Sequence, residues 1–220
     1  ERDVTGYTPL LFAARVGDLE SARMLLDADA NPNAAATDRL TALGLATIRG
    51  HVDVAMLLLD HGADANADQR GHTPLHWASG WWETTLTTSD FRAGREGNDE
   101  WNALPGLTTG KVTLVRALLA SGADPNARLE RTPTRAGATR SPGLPELVGA
   151  TPFLLAAVGG DAELMRILAE AGADTSLTTE TRSTPLMAAA GLGRVMGENT
   201  LDEAVLLEAA RLAVQMGADL

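Results

Sequence analysis

A net charge of −11 on 220 residues argues against polyanionic partners, because phosphate backbones and anionic lipid would be repelled at neutral pH. The absence of cysteine excludes disulfides, thiolate nucleophiles and cysteine-bound metals. The chain has only three Phe, one Tyr and four Trp, so small side chains must fill much of its interior, and its apolar stretches are far shorter than the roughly 20 residues of a membrane span.

The first predicted element is a helix that begins after Thr8, and it recurs along the chain. Thr8 and Thr41 are 33 residues apart, Thr41 and Thr73 are 32 apart, and each opens a variant of Thr-Pro-Leu followed by a small, Ala-rich segment. Thr151 and Thr184 open two further copies. A second marker, Gly-Ala-Asp, recurs at Gly62, Gly122, Gly172 and Gly217. The spacing predicts a repeat protein.

Each repeat is predicted to contain two helices. Thr at the cap accepts a hydrogen bond from an otherwise unpaired helical N–H, and Pro at the first helical position sacrifices no bond there. The inner helix ends at a glycine such as Gly17, and the outer helix has apolar residues at helical spacing, as in Leu19, Ala22 and Leu26. Because one helix pair cannot bury both of its faces, the repeats are expected to stack.

These residues and spacings resemble the ankyrin repeat. The resemblance implies an all-α fold, an ankyrin-repeat solenoid of five helix-turn-helix repeats with β-hairpin-like connections and three loop insertions. The chain is predicted to form a single domain over residues 1–220. Its repeats are predicted to span residues 3–35, 36–68, 69–128, 149–178 and 179–220. The pattern is interrupted at both edges, so a fragment of a longer array is expected.

Three insertions interrupt the predicted repeats, and insertions in a solenoid often mark its binding side. They cover residues 81–109 in the third repeat, 129–148 between the third and fourth, and 194–202 in the fifth. The first and the third both lie between an inner and an outer helix. They are therefore expected to share an edge and to flank a cleft over the fourth repeat.

All four tryptophans fall within the third repeat and its insertion, beside several carboxylates. Exposed aromatic and acidic side chains would suit a sugar or another small molecule, and paired carboxylates could also perform acid–base chemistry. Alternatively, the tryptophans form the small core that a long loop needs, and this structural role is favoured. The residues of the alternative ligand pocket are Trp77, Trp81, Trp82, Glu83, Asp90 and Trp101.

The remaining motifs do not indicate catalysis. His51 and His61 occupy turn positions, and His76 follows Thr-Pro-Leu, where the ankyrin pattern places a structural histidine. His72 precedes the helix, so it does not share a helical face with His76 as a metal pair would. Residues 106–113 have the wrong spacing for a phosphate loop. No catalytic residue, metal site or cofactor is predicted.

The resemblance implies a non-catalytic scaffold that binds a protein through the concave face of the inner helices and the hairpin tips, and this function is favoured over an enzyme. A small molecule or glycan is the alternative partner. Nucleic acid binding and membrane insertion are not expected. The protein is expected to be a monomer. The pattern is also similar to ankyrin arrays of bacterial proteins, either cytoplasmic or exported to the periplasm. The predicted contact residues are Arg15, Val16, Ile48, Arg49, Gly80, Trp81, Val158, Gly159, Gly191 and Leu192.

Overall fold

The computed structural model describes residues 6–37, 39–69, 71–80, 110–131, 147–192 and 202–218. The chain divides into two compact units, Glu1–Ala78 with Pro105–Asp124 and Ser79–Leu104 with Pro125–Leu220. Throughout the described residues the regular elements are helices, and the β-pairing is an isolated antiparallel bridge between Ala35 and Thr41. The predicted all-α class is confirmed.

The helices described in the first unit form successive pairs. They are α1 (Pro9–Val16), α2 (Leu19–Asp27), α3 (Ala42–Arg49), α4 (Val52–Asp60), α5 (Pro74–Ser79, whose last residue begins the range of the second unit) and α6 (Lys111–Ala120). α1 packs against α2 and α3, α3 packs against α4, and α4 packs against α2 and α6. Ala14, Ala46 and Ala55 on these helices are fully buried, because small side chains let helix backbones approach closely.

The second unit repeats this arrangement with a larger apolar core. Its helices are α7 (Pro152–Val158), α8 (Ala162–Glu170), α9 (Pro185–Ala189) and α10 (Glu203–Gln215). α7 packs against α8 and α9, and α10 packs against α8 and α9. Phe153, Leu154, Leu164 and Met165 are buried in the core of this unit.

Threonine side chains start the inner helices, as the sequence predicts. The Oγ1 atom accepts a hydrogen bond from the backbone N–H three residues later, at 3.1 to 3.3 Å, in Thr8, Thr41, Thr151 and Thr184. At Thr73 the backbone N–H donates to Nδ1 of His76 at 3.0 Å, and His76 is fully buried. His76 thus has the structural role that its place in the repeat predicts.

Asparagine side chains connect consecutive repeats. In the first unit, Nδ2 of Asn33 donates to the Gly62 carbonyl at 3.0 Å, and Oδ1 accepts from the Asp64 N–H at 2.7 Å. The same two bonds recur, at 2.7 to 3.1 Å, for Asn66 with Gly122 and Asp124 in the first unit and for Asn126 with Gly172 and Asp174 in the second. The Gly-Ala-Asp marker is therefore where the asparagine of the preceding repeat attaches.

The predicted insertion at 129–148 leaves and re-enters the second unit at one place. The Leu129 N–H donates to the Ala150 carbonyl at 2.9 Å, and the Gly149 N–H donates to the Leu129 carbonyl at 2.7 Å. Leu129 and Leu147 are both buried. These bonds close the base of the insertion, whose residues 132–146 lie outside the described ranges.

Candidate binding surface

The inner helices of the first unit end beside one another. α1 ends at Gly17 and α3 ends at Gly50, with left-handed φ values of 77° and 73°. Nε2 of His51 lies 3.3 Å from the Arg15 carbonyl oxygen, which places the turn after α3 against the last turn of α1. These last turns contain four of the predicted contact residues, which we call the inner-helix patch: Arg15, Val16, Ile48 and Arg49.

The inner-helix patch offers aliphatic and cationic surface together. The Val16 residue is 68% exposed, whereas Arg15, Ile48 and Arg49 are half-buried. A half-buried arginine packs its methylene stem and keeps the guanidinium at the surface. The patch can therefore contact a partner through both apolar and charged atoms.

Burial and a nearby positive charge both act on Arg49. Burial is the largest cause that lowers the pKa of Arg49, the charge of Arg15 lowers that pKa further, and Tyr7 partly raises it. Among the described residues no carboxylate lies within ion-pair distance of the Arg49 guanidinium, whereas Arg39 pairs with Asp68. Since arginine keeps its charge in proteins, positive charge is concentrated here on an acidic chain.

His51 supports this patch, although the sequence assigns it only to an ordinary turn position. A Cβ added to Gly17 would come within 2.6 Å of Nδ1 of His51, so the imidazole lies directly against the turn that ends α1. Glycine is required at this turn by both its positive φ and the ring beside it. Spacing alone gives no sign that this histidine reaches the preceding repeat.

An apolar groove of about 610 Å³ adjoins the patch at Val16. It lies on α1 and α2, where Phe12 is 44% exposed and Met24 is 68% exposed. The ring of Tyr7 contacts that of Phe12 with centroids 5.3 Å apart. Large apolar side chains exposed beside cations are typical of surfaces that bind proteins.

In the second unit the predicted contact residues lie at the ends of two inner helices that pack together. Val158 and Gly159 are half-buried where α7 ends. After α9, Gly191 is half-buried and Leu192 is 40% exposed. These four positions form an apolar surface without charged side chains.

Two other predicted contact residues and most of the alternative ligand pocket cannot be placed on this surface. Gly80 is buried. Trp77 is also buried, and its ring stacks on that of His72 with centroids 4.8 Å apart and an angle of 20° between the planes. Trp77 therefore packs in the interior. Outside the described residues lie Trp81, Trp82, Glu83, Asp90 and Trp101, together with residues 81–109 and 194–201.

The described residues contain neither a cluster of metal ligands nor a membrane-spanning helix. In the part of the chain that the structure describes, His, Asp and Glu side chains do not gather in groups of three or more that could hold a metal ion. No helix in the same ranges combines the length and the apolar character that a membrane span needs.

Comparison with known proteins finds similarity to ankyrin repeats. Residues 10–82 match a family model described as ankyrin repeats in three copies. The chain is similar to the Drosophila melanogaster "Ankyrin repeat and KH domain-containing protein mask", with 43% identity over 77 residues, which cover 34% of this chain and 2% of that protein.

Longer matches have lower identity. The rice "Probable E3 ubiquitin-protein ligase XBOS33" is 30% identical over 210 residues, which cover 77% of this chain and 39% of that protein. The Neurospora crassa "Ankyrin repeat protein nuc-2" is 30% identical over 131 residues, or 56% of this chain and 12% of that protein. The chain thus spans a minor part of each relative. These eukaryotic sources do not confirm the bacterial origin that the sequence pattern suggested.

Proposed function

The chain is an ankyrin-repeat protein, and we propose that it binds another protein through the ends of its inner helices, at the inner-helix patch of the first unit and at Val158 and Leu192 of the second. Ankyrin repeats are generally scaffolds for protein–protein interaction. The similarity to relatives concerns this shared repeat module and does not identify the partner.

The observation that carries the proposal is the composition of the inner-helix patch. Arginine is enriched at protein interfaces and among the residues that supply most of the binding energy. Val16 is 68% exposed and therefore adds little to the packing of the interior, whereas Ala13 and Ala14 of the same helix are buried. An aliphatic side chain displayed beside two cations gains its apolar burial when a partner covers it.

The rigidity of the scaffold supports the same function. The patch lies on helices whose starts are capped and whose ends are fixed by Gly17 and Gly50. A side chain that is already ordered loses less conformational freedom on binding, so a larger share of the contact energy appears as affinity. A preformed surface of this kind is suited to recognition.

Site-specific photocrosslinking tests the proposal. Peptides and small domains are selected from a random display library against the whole chain, and a photoreactive phenylalanine analogue is placed at Val16 or Leu192. Selected binders should crosslink at these positions. Matched control positions are Arg23 on the outer helix α2 and Glu163 on the outer helix α8, both exposed. Crosslinks confined to the two control positions would reject the inner-helix surface.

A further inference from the structure

Two helix pairs of this chain expose one side each. We call the exposed side of α1 and α2, with Phe12, Glu20 and Met24, the leading face, and the exposed side of α9 and α10, with Met187 and Arg211, the trailing face. We infer that the leading face of one copy docks onto the trailing face of a second copy, in the register in which consecutive repeats stack within each unit. This inference goes beyond the proposed function, which concerns the ends of the inner helices.

The leading face exposes an aromatic side chain at a position that other repeats bury. Phe12 lies four residues after its threonine cap, as Leu45 does in α3 and Ala188 does in α9. Leu45 and Ala188 are buried, in repeats whose inner helix packs on a preceding one, α3 on α1 and α9 on α7. Phe12 is 44% exposed, and among the described residues α1 packs on no preceding inner helix. Its ring is therefore left where another repeat would cover it.

The outer helices give the same comparison. Met24 lies five residues before Asp29, which has the left-handed backbone of the first glycine of the Gly-Ala-Asp marker. Leu57 and Leu212 occupy the corresponding place in α4 and α10, and both are buried in helices that pack on a preceding outer helix, α4 on α2 and α10 on α8. Met24 is 68% exposed. The groove lined by Phe12 and Met24 thus lies where the helix pair of another repeat would pack.

The trailing face exposes the opposite side of a repeat. Met187 lies three residues after the cap of α9, at the position of Gly44 in α3, which the side chain of Gln69 from the following repeat covers. Leu11 and Leu154 hold the same position in α1 and α7, and both are buried in repeats on which a further inner helix packs. Met187 is 48% exposed. The position that faces the following repeat thus offers an apolar side chain to a second copy.

Charge complementarity specifies the occupant and its register. Within the second unit, Nη2 of Arg166 on α8 donates to Oε1 of Glu208 on α10 at 2.9 Å, so an arginine of one repeat pairs with a glutamate of the next. Arg211 occupies the place of Arg166 in α10, six residues before the marker, and Glu20 occupies the place of Glu208 in α2, nine residues before it. Both are exposed, and in the described ranges neither forms an ion pair. Arg211 of one copy would meet Glu20 of the next copy as Arg166 meets Glu208.

Apolar burial would supply most of the affinity, and the ion pair would set the register. Burying large apolar side chains such as Phe12 and Met187 contributes more free energy than one exposed ion pair does. Because the two faces differ, the contact is heterologous and leaves one face of each terminal copy open, so that further copies add until a ring closes or a filament grows. The monomer expected from the sequence does not account for these faces, because repeat spacing does not show which apolar positions stay exposed.

Sedimentation velocity of the whole chain, from about 1 µM to about 1 mM, tests the contact. The average mass should rise with concentration and pass that of a dimer, as a heterologous contact requires. Phe12→Asp and Met187→Asp should each weaken association at least about a hundredfold, because each places a charge in the apolar centre of the contact. The matched control is Thr113→Asp, which adds the same charge at an exposed position of α6 and should associate like the wild type.

Charge reversal tests the register. Glu20→Arg should weaken association about tenfold, because it sets two cations against each other, and Arg211→Glu should do the same with two anions. The double variant has the wild-type net charge and should recover the wild-type association. Asp60→Arg changes the net charge as Glu20→Arg does, at an exposed position of α4, and should associate normally.

Four outcomes would overturn the inference. The first is a chain that stays monomeric at about 1 mM. The second is association that stops at a dimer and depends on Phe12 but not on Met187, since two leading faces would then be in contact. The third is a double charge-reversal variant that has native circular dichroism and melting temperature but does not recover. The fourth is a monomeric chain whose library binders crosslink to a photoreactive residue at Met24, because the leading face would then take a different partner. Crosslinking at Val16 and Leu192 decides the proposed function separately.

Discussion

Gln69 lies directly over Gly44 in the first unit, so that its side-chain amide occupies the space where a Cβ of residue 44 would be. The amide donates from Nε2 to Oγ1 of Thr41 at 2.9 Å, and Gln69 is only 2% exposed. The other repeats have leucine, histidine or methionine at the position of Gly44, three residues after the threonine cap. Here a glutamine from the connecting segment replaces that side chain and bonds to the cap.

Gly44→Ala should destabilise the first unit, because the added methyl group would displace the Gln69 amide from its buried hydrogen bond. Overpacking of this kind costs about 1–3 kcal/mol, which outweighs the gain in helix propensity from replacing glycine by alanine. Urea unfolding followed by circular dichroism measures the loss. In a Gln69→Ala background the same change should cost little or stabilise. An equal loss in both backgrounds would mean that the amide is not the obstacle.

The fold was largely predictable because its signals are local. A threonine cap, a following proline and a glycine stop act within one helix, and Thr8, Thr151 and Thr184 show the predicted start in the structure. The Gln69 contact could not be read this way. It depends on a side chain 25 positions beyond Gly44, and only the packed structure shows where that side chain lies.

Asn66→Ala should loosen the connection between consecutive repeats of the first unit. The change removes the bonds to Gly122 and Asp124, each 2.8 Å long. Because the side chain is exposed, water replaces these bonds in part, and we expect a loss of about 1–2 kcal/mol in the free energy of unfolding. Urea titration measures the loss.

Asn66→Asp is the matched variant, since it keeps the oxygen that accepts from Asp124 and loses the donor to Gly122. Measured at elevated salt, which screens the added charge, it should lie between the wild type and Asn66→Ala. A result in which Asn66→Ala unfolds like the wild type would show that the asparagine bridge does not stabilise the stack.

The carboxylate of Asp18 should titrate at an unusually low pH. Its side-chain hydrogen bond with the Ser21 hydroxyl is the largest cause that lowers its pKa, and the backbone N–H of Ser21 lowers the pKa further. Because the folded-state pKa is depressed, the stabilisation is present above the ordinary aspartate pKa and disappears as the pH falls through the folded-state pKa. Ser21→Ala should therefore raise the pKa of Asp18 towards the ordinary value, without fully restoring it.

Carbon-13 NMR of the carboxyl group during a pH titration measures this change. Ser21→Thr keeps the hydroxyl group and should keep the low pKa of Asp18. A similar hydrogen bond occurs in a connecting turn of the second unit, where the Ser176 hydroxyl is the largest cause of a lowered pKa of Asp174. A titration of Asp18 that is unchanged in Ser21→Ala would assign the effect to the backbone of the capped helix instead.

The candidate site was predictable only as a set of positions. The resemblance identified Arg15 and Arg49 from their places in the inner helices, but the burial of Arg49 depends on how α1 and α3 pack. The role of His51 was missed because its contact with Gly17 joins two repeats. Neither a glycine nor a histidine in the sequence indicates that the two residues meet. Whether these positions bind a partner stays a prediction for the crosslinking experiment.

Gly17 links the stability of the first unit to the position of its arginines, and comparison with Gly62 isolates that link. Both glycines have left-handed backbones, with φ of 77° and 80°, but an added Cβ meets the His51 ring at Gly17 and open space at Gly62. Gly62→Ala should lower the free energy of unfolding by about 1–2 kcal/mol, which is the cost of placing alanine in a left-handed backbone conformation. Gly17→Ala should cost about 1–3 kcal/mol more, because the ring must move. When His51 moves, its hold on the Arg15 carbonyl is lost, so Gly17→Ala should also weaken crosslinking of library binders at Val16 while Gly62→Ala leaves it intact. Equal effects of the two variants on urea unfolding and on crosslinking at Val16 would show that His51 does not position the end of α1.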